Sequence, residues 1–475
     1  MAQEKNSRQL VVIGAGPGGY AAAFTAADLG MRVTLIDLEK NPGGVCLYRG
    51  CIPSKALLHL AKIITDAAAV GSHGVEFSAP KIDVDKVRSY KNGVIQKLVL
   101  GLAQLCKLRK IEYIQGMAAF IDSNTLEVKR KGNGTERISF DKAILATGAS
   151  AVTIPNIPAA SALVMDSTRA LELESIPESM LVVGGGYIGL ELGTVYAALG
   201  TKVSVVEMTP GLMPGSDPEL VSILAKRLGK LFDSIMLSTT VAQIKEHDGG
   251  LKVALEAEQG PTSEKSYERV LVAAGRKPNS AGLGLQNTRV QTDEKGFVKV
   301  NNKLQTDDAS IYAVGDLVGG PLLAHKASHE ARIAARVIAG LDVAFGPKAI
   351  PFVEYTDPEV AECGLSEKQA LKENRPIKVA KFPWAASGRA ATMGQSDGLT
   401  KLIIDPGTEK VLGVGIVGTG AGELISEGAL AIEMGAGASD IASTIHPHPT
   451  LSETVMEAAE VFLGNSLHFY RPRRP

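Results

Sequence analysis

The sequence predicts an α/β protein: two parallel-sheet units of one design, followed by a C-terminal α+β unit on an antiparallel sheet. Three observations predict it. A strand, a glycine-rich turn, a helix, a second strand and an acid follow one another twice, from Gln9 and again from Met180. The spacing inside the copies is equal: 11 residues from Gly19 to Gly30 and from Gly189 to Gly200, and 18 from Gly19 to Asp37 and from Gly189 to Glu207. Beyond residue 350 the pattern changes to short runs, alternating or apolar, between turns, the mark of antiparallel strands.

Gln9–Ile13 is a short apolar run and reads as a buried parallel strand. It leads into Gly14-Ala15-Gly16-Pro17-Gly18-Gly19. In such a loop the first glycine makes the turn, the second admits a pyrophosphate, and the third lets the helix pack on the strand. An alanine-rich helix is expected over 20–29, stopped at Gly30. The next strand, 32–36, ends at Asp37, where a carboxylate meets the adenosine ribose of a dinucleotide. The helix N-terminus adds free N–H groups and its positive dipole end. One glycine loop is weak evidence, but the whole unit recurs: strand 180–183, Gly184-Gly185-Gly186-Tyr187-Ile188-Gly189, helix 190–199, Gly200, strand 202–206 and Glu207. The chain therefore carries two Rossmann-type dinucleotide-binding units. Met208, Thr209 and Pro210 follow Glu207 with no arginine for a 2′-phosphate, so the second site prefers NAD over NADP.

Between the loops, Cys46 and Cys51 stand five positions apart, and Lys55 follows Cys51 by one helical turn. Five helical residues rise ~7.5 Å, whereas bridged Cα atoms lie roughly 4.4–6.8 Å apart. A bridge therefore needs an irregular turn, for which Gly50 and Pro53 supply the breaks. So small a loop gains little chain entropy, so the use of a bridge would be redox. Two unrelated reduced cysteines remain the alternative at this point. Lys55 is either a solvated lysine or a cation beside a cofactor ring. Helical patterns cover 54–70 and 83–108, the second with Cys106 on its apolar face as a core residue.

Lys142–Leu145 is a strand ending at Ala146-Thr147-Gly148, and 269–273 is its counterpart, ending at Ala274-Gly275-Arg276-Lys277-Pro278-Asn279. Both turns bring the chain back past a dinucleotide, and Pro155, Pro158 and Pro278 mark domain crossings. Strand 310–314 runs into Gly315-Asp316, placing a carboxylate where open α/β sheets contact ligands. A helix follows over 325–339. The C-terminal unit has strands at 378–384, 400–405 and 410–417 and helices at 423–434 and 451–463. It also carries His446 and His448, with Glu453 five residues beyond the second. A histidine–carboxylate pair orients an imidazole for acid–base work. Metal binding or helix capping are the other readings. No further Cys/His cluster lies nearby, so no metal is expected. The division is thus 1–150 and 151–279 for the two dinucleotide domains, 280–349 for a central domain completing the first site, and 350–475 for an interface domain.

The 50 basic and 51 acidic side chains of the 475 residues nearly balance, which points away from nucleic acid and anionic membrane. No uncharged apolar run of ~18 residues spans a membrane, and Met1 to Lys5 lacks a signal-peptide pattern. Four cysteines do not make a disulfide scaffold. A cytoplasmic protein is expected, with a frayed basic tail from Arg471 to Pro475.

The two glycine loops, the Gly43-Gly44-Val45-Cys46-Leu47-Tyr48-Arg49-Gly50-Cys51-Ile52-Pro53-Ser54-Lys55 stretch, the Gly315-Asp316 turn and the terminal His446-Pro447-His448-Pro449-Thr450-Leu451-Ser452-Glu453 stretch resemble the class I flavoprotein disulfide reductases along the whole chain. Within them the resemblance is to the dihydrolipoamide dehydrogenases of 2-oxoacid dehydrogenase complexes. It implies that Gly14, Gly16, Gly19 and Asp37 hold FAD, with Asp316, Ala118, Ala324 and the Gly148 turn as further contacts. It implies a redox disulfide between Cys46 and Cys51, with Cys51 nearest the flavin and Cys46 meeting substrate. Lys55 would pair with Glu191 beside the ring. Gly184, Gly186, Gly189, Glu207, Val241, Gly275 and Arg276 would bind NAD. His448, oriented by Glu453, would be the acid–base group and would reach the cysteines of the partner subunit, so active sites would be shared across a homodimer. The implied reaction begins with attack of a dihydrolipoamide thiolate on Cys46 and ends with the electrons passing from Cys51 through FAD to NAD. No lipoyl domain is visible, so the lipoyl arm is expected on an acyltransferase partner.

Two residues depart from that pattern. Asp37 replaces the usual glutamate, and Tyr187 stands where lipoamide enzymes mostly carry an aliphatic residue. Glutathione reductases carry a tyrosine there as a lid over the flavin. A mercuric reductase would have cysteines near the C-terminus, and a glutathione reductase would have an arginine near Glu207; neither is present. A non-catalytic flavoprotein subunit would have lost one of Cys46, Cys51, His448 or Glu453, and all four are present.

Overall fold

The computed structural model describes residues 9–132, 134–152, 154, 157–158 and 161–470. Met1 to Lys5, Pro155 and the tail from Arg471 to Pro475 lie outside the described residues.

The first sheet has seven strands in the order Ile311–Ala313, Lys142–Leu145, Gln9–Ile13, Arg32–Asp37, Glu112–Asp122, Thr125–Arg130, Thr135–Ser139. The first five are parallel and the last two turn back antiparallel. Leu10, Val11 and Val12 are fully buried, as an apolar run covered on both faces requires. Helices Pro17–Asp28 and Ala324–Ile338 share a core on one face. The first of them starts three residues earlier than the apolar pattern suggests. Pro17 has a fixed φ and no N–H to lose, which suits a first turn. Gly19 must then lie against the loop it leaves: a Cβ there would sit 1.7 Å from the Gly14 carbonyl oxygen.

The second unit repeats the design. Ser234–Met236, Lys202–Val206, Ser179–Val183, Arg269–Val272 and Val164–Met165 form a parallel sheet. Its helix, Tyr187–Ala198, again begins inside the glycine loop. Before each sheet receives its return strand, the chain makes an antiparallel excursion: 112–139 in the first unit, and Thr239–His247, Gly250–Ala257 and Ser263–Tyr267 in the second. The two late glycine turns meet each other, because Ala149–Ala151 pairs antiparallel with Arg276–Pro278.

The C-terminal part is a five-stranded antiparallel sheet in the order Phe352–Glu354, Glu359–Gly364, Val411–Gly418, Leu399–Ile404, Lys378–Pro383. Helices Ala421–Met434 and Glu453–Leu463 cover it, and Trp384 is fully buried in that core. Mixed α/β architecture with an antiparallel C-terminal sheet agrees with the expectation.

Lys401 ties this sheet to the second unit. It is 1% exposed and reaches Asp217 at 2.5 Å, Glu219 at 2.7 Å and Glu367 at 2.5 Å. Burial works against its charge, but the three carboxylates more than offset that and hold its pKa above the ordinary lysine value. Lys401→Met should destabilise the protein by about 3 kcal/mol, because Asp217 would be left buried and uncompensated. Urea unfolding of the variant, with Asp217→Asn as the compensating second change, checks this.

Candidate active site

Around the cysteines the chain forms two helices, Gly44–Arg49 and Cys51–Ala69, separated at Gly50 with φ −146° and ψ −114°. Pro53 is not a break. It occupies the third helical position, where its missing N–H has no intrahelical partner to lose. The turn at Gly50 brings Cys46 and Cys51 into a thiol–thiol hydrogen bond. The two are not bridged in the structure.

Their environments separate them. The hydrogen bond from Cys46 lowers the Cys51 pKa, burial opposes this, and Lys55 lowers it further, to about 7. The same hydrogen bond, then burial, pushes Cys46 up. The pair is thus polarised, with Cys51 the more readily ionised thiol and Cys46 the donor. Lys55 Nζ lies 2.9 and 3.0 Å from the two oxygens of Glu191, whose side chain is 4% exposed. The Tyr355 N–H also donates to Glu191 at 3.0 Å, and Lys55 Nζ stands 4.4 Å above the Tyr355 ring. Lys55→Met should raise the pH at which iodoacetamide half-maximally alkylates Cys51 by about 1 unit, since it removes the nearby cation.

The thiols face a cavity of about 840 Å³, which also meets Lys55, Glu191, Gly14, Gly16, Asp37, Ala118, Gly148, Arg276, Asp316 and Ala324. This volume lies in the upper part of the range of cofactor sites. Its glycines fit a dinucleotide. A Cβ on Gly44 would sit 2.4 Å from the Gly16 Cα, so two bare backbones touch along the cavity wall. Asp37 accepts N–H bonds from Ala15 at 2.6 Å and Glu39 at 2.8 Å, which leaves each oxygen further acceptor capacity. Burial raises the pKa of both Asp37 and Asp316. Tyr187 lines the same cavity, and its ring packs edge-on against Phe352 at 5.8 Å.

Sequence reasoning missed the clamp behind the Gly315-Asp316 turn. Glu330 accepts the Gly315 N–H at 2.7 Å, Lys326 donates to the Gly319 carbonyl at 2.9 Å, and the two pair at 2.7 Å with almost no exposure. The available signal was a lysine and a glutamate four apart inside an alanine-rich helical pattern. Arg49, which pairs with Glu39 on the cavity wall, was also missed.

Gly184, Gly186, Gly189, Glu207, Val241 and Gly275 do not line this cavity. The second glycine loop is held by its acid in the same way as the first. Glu207 accepts from the Gly185 and Thr209 N–H groups at 2.7 and 2.8 Å, as Asp37 does from Ala15 and Glu39. Nothing lies within 4 Å of a Cβ placed on Gly186, which leaves the loop open above. Val241 stands at a register shift in strand Thr239–His247. Arg276, expected with them, instead lines the cavity and donates to the Ala149 carbonyl.

His448 stands apart from the cavity with its side chain 73% exposed. Its Nδ1 is 2.9 Å from Glu453 Oε1, and Glu453 Oε2 accepts the Thr450 N–H at 2.8 Å. Burial would raise the Glu453 carboxyl, but the Thr450 N–H and His448 outweigh it and hold it below the ordinary range. With Nδ1 engaged by a carboxylate, Nε2 is left free to take a proton. His446 is different: its side chain is 5% exposed and is fixed by Glu427 and the Thr444 carbonyl. Among the described residues no group of three His, Cys, Asp or Glu is arranged to hold a metal.

The sequence profile of the pyridine nucleotide-disulphide oxidoreductases matches residues 8–331, and that of their dimerisation domain matches residues 350–459. The chain belongs to this family. It is 48% identical over 456 residues to dihydrolipoyl dehydrogenase of Vibrio cholerae, covering 96% of each chain. It is also 48% identical over 457 residues to that of Haemophilus influenzae, covering 96% of this chain and 95% of the other. Among solved structures it superposes on the Cu(II) complex of the HOCl-induced flavoprotein disulfide reductase RclA from Escherichia coli. The TM-score is 0.86 at 28% identity, covering 96% and 99% of the two chains. The family uses FAD and NAD, and the glycine cradle and the Glu207 site suit one dinucleotide each. His448 and Glu453 lie in the dimerisation domain. Among the described residues no helix is long and apolar enough to cross a membrane.

Proposed function

We propose that this chain is a dihydrolipoyl dehydrogenase, working as a homodimer that oxidises the dihydrolipoyl arm of an acyltransferase partner in the cytoplasm. The observation that carries the reading is the polarised thiol pair: a Cys51 thiolate backed by Lys55 and Glu191, and a protonated Cys46, at the wall of a dinucleotide-sized cavity. Gly14, Gly16, Gly19, Asp37, Ala118, Gly148, Asp316 and Ala324 would hold FAD, and Gly184, Gly186, Gly189, Glu207, Val241, Gly275 and Arg276 would hold NAD. The domain limits expected from the sequence carry over unchanged into this reading.

FAD, when bound, supplies the two-electron relay from sulfur to nicotinamide. The remaining work falls to the chain. With the cysteines bridged, His448 of the partner subunit takes a proton from one substrate thiol. That thiolate attacks Cys46, the Cys46–Cys51 bond breaks, and Cys51 leaves as the thiolate its surroundings favour. The second substrate thiol attacks the mixed disulfide, releasing the cyclic disulfide product and returning Cys46 to a thiol. Lys55 balances the charge on Cys51, and Glu191 orients Lys55.

The test is turnover by the purified flavoprotein. Dihydrolipoamide with NAD should yield NADH, whereas NADP or glutathione should support at most a few per cent of that rate. Glutathione-dependent turnover at the lipoamide rate would replace this reading with that of a glutathione-type reductase, the enzymes that also carry a tyrosine at the Tyr187 position.

A further inference from the structure

Glu354 is a buried carboxyl that the mechanism above does not use. It is 2% exposed. Its Oε1 accepts the Ser216 hydroxyl at 2.8 Å, and its Oε2 is buried with no hydrogen-bond partner. Its place is specific. Phe352 and Glu354, two apart on one strand, share a face of the sheet, and Phe352 packs on Tyr187. Tyr187 and Glu191 are one turn apart on their helix. Glu354 thus faces the helix that carries the Lys55 partner. The next residue, Tyr355, donates its N–H to that same Glu191.

The charges around Glu354 are mostly negative. From the neighbouring strand Glu362, opposite Phe352 in the register, shares its face. Glu362 accepts the Asp217 N–H, so Asp217 borders the cluster from the second unit. From the helix comes Glu191. The nearby cations are taken: Lys55 by Glu191, and Lys401 by Asp217, Glu219 and Glu367. Among the described residues no ion pair reaches Glu354. Burial, opposed by Ser216 and reinforced by Glu362 and Glu191, pushes its carboxyl up to about 8.

We propose that Glu354 carries a proton at neutral pH and is a positioning residue for the Lys55–Glu191 pair. Its neutral side chain leaves Lys55 balanced by one carboxylate, so that the ammonium's field acts on Cys51. Loss of that proton to solvent in alkali adds a second negative charge behind Glu191 and weakens the support for the thiolate. The proposal rests on Cys51 being the thiolate of the pair, and deepens that assignment.

The carboxyl is read directly by infrared difference spectroscopy of the flavoprotein, wild type minus Glu354→Gln. A protonated-carboxyl C=O band should be present at pH 7 and should disappear on the alkaline side of neutrality. Ser216→Ala, which removes the one donor to the ionised form, should move that disappearance to higher pH. It also keeps the test alive if the glutamine variant does not fold. The coupling is read by the rate of Cys51 alkylation by iodoacetamide against pH, followed by peptide mass spectrometry. The wild type should titrate in two steps and Glu354→Gln in one. Absence of the carboxyl band at pH 7, or an alkylation profile of one shape in both proteins, overturns the proposal. Neither readout depends on lipoamide turnover, so failure here is distinct from failure of the assigned activity.

Discussion

Cys51→Ser is expected to leave a yellow, FAD-bearing protein that oxidises dihydrolipoamide at least about four orders of magnitude more slowly. The substitution changes one atom at the cavity wall and leaves the Gly14 to Gly19 loop, Asp37 and the Asp316 turn untouched. Cofactor retention, read from the visible absorbance after gel filtration, should therefore be near normal. The chemistry should not survive. A serine hydroxyl cannot close a bridge with Cys46, and it does not ionise near pH 7, where Cys51 does. The lost function is specific to this sulfur, because Cys106 and Cys363 are buried core residues whose pKa values burial pushes up to about 11 and about 12. Turnover within tenfold of wild type would remove Cys51 from the reaction.

The same surroundings set a pH dependence. A free thiol titrates near 9 and Cys51 near 7. The folded dithiol form thus gains stability from the Cys51 thiolate that is fully present above pH 9 and fades as pH falls through 7. Lys55 and the Cys46 hydrogen bond are its source. Lys55→Met should flatten this part of the stability profile.

Much of this was legible because it is local. Gly14 and Gly19, and Gly184 and Gly189, announce turns in which a Cβ would meet the neighbouring backbone, and the acids at 37 and 207 close units of fixed length. The break between Cys46 and Cys51 was also visible, although it falls to Gly50 alone. The antiparallel excursions were not visible. Strand Ser263–Tyr267 has a single buried residue, Tyr267, so it has no apolar alternation to detect. Strand Glu112–Asp122 buries alternate positions, yet Gly116 and several small residues blur its period. Contacts between distant residues were legible only by resemblance. Nothing local to Lys55 foretells Glu191, 136 residues away. Nothing at all foretold Lys401 or Glu354, whose partners are assembled from separate domains.

His448→Gln should lower kcat with dihydrolipoamide by about 10²–10⁴, the usual contribution of a positioned general base. Geometry distinguishes this histidine from its neighbour His446, whose side chain is 5% exposed and held by Glu427 and the Thr444 carbonyl. Thr450 fixes Glu453, and Glu453 fixes His448 Nδ1, on a side chain 73% exposed. Because His448 stands apart from the cavity of its own chain, a role as general base would need a second protein surface to bring the thiol to it. A hybrid dimer decides the matter. One subunit carries His448→Gln and the other Cys46→Ser, each inactive as a homodimer. If the histidine serves the partner's cysteines, one of the two sites keeps both intact groups, and the hybrid should recover about half of the wild-type activity. If each chain serves itself, every site carries one lesion and the hybrid should be as inactive as its parents. Co-purification with two different affinity tags isolates the hybrid, and NADH formation reads the outcome.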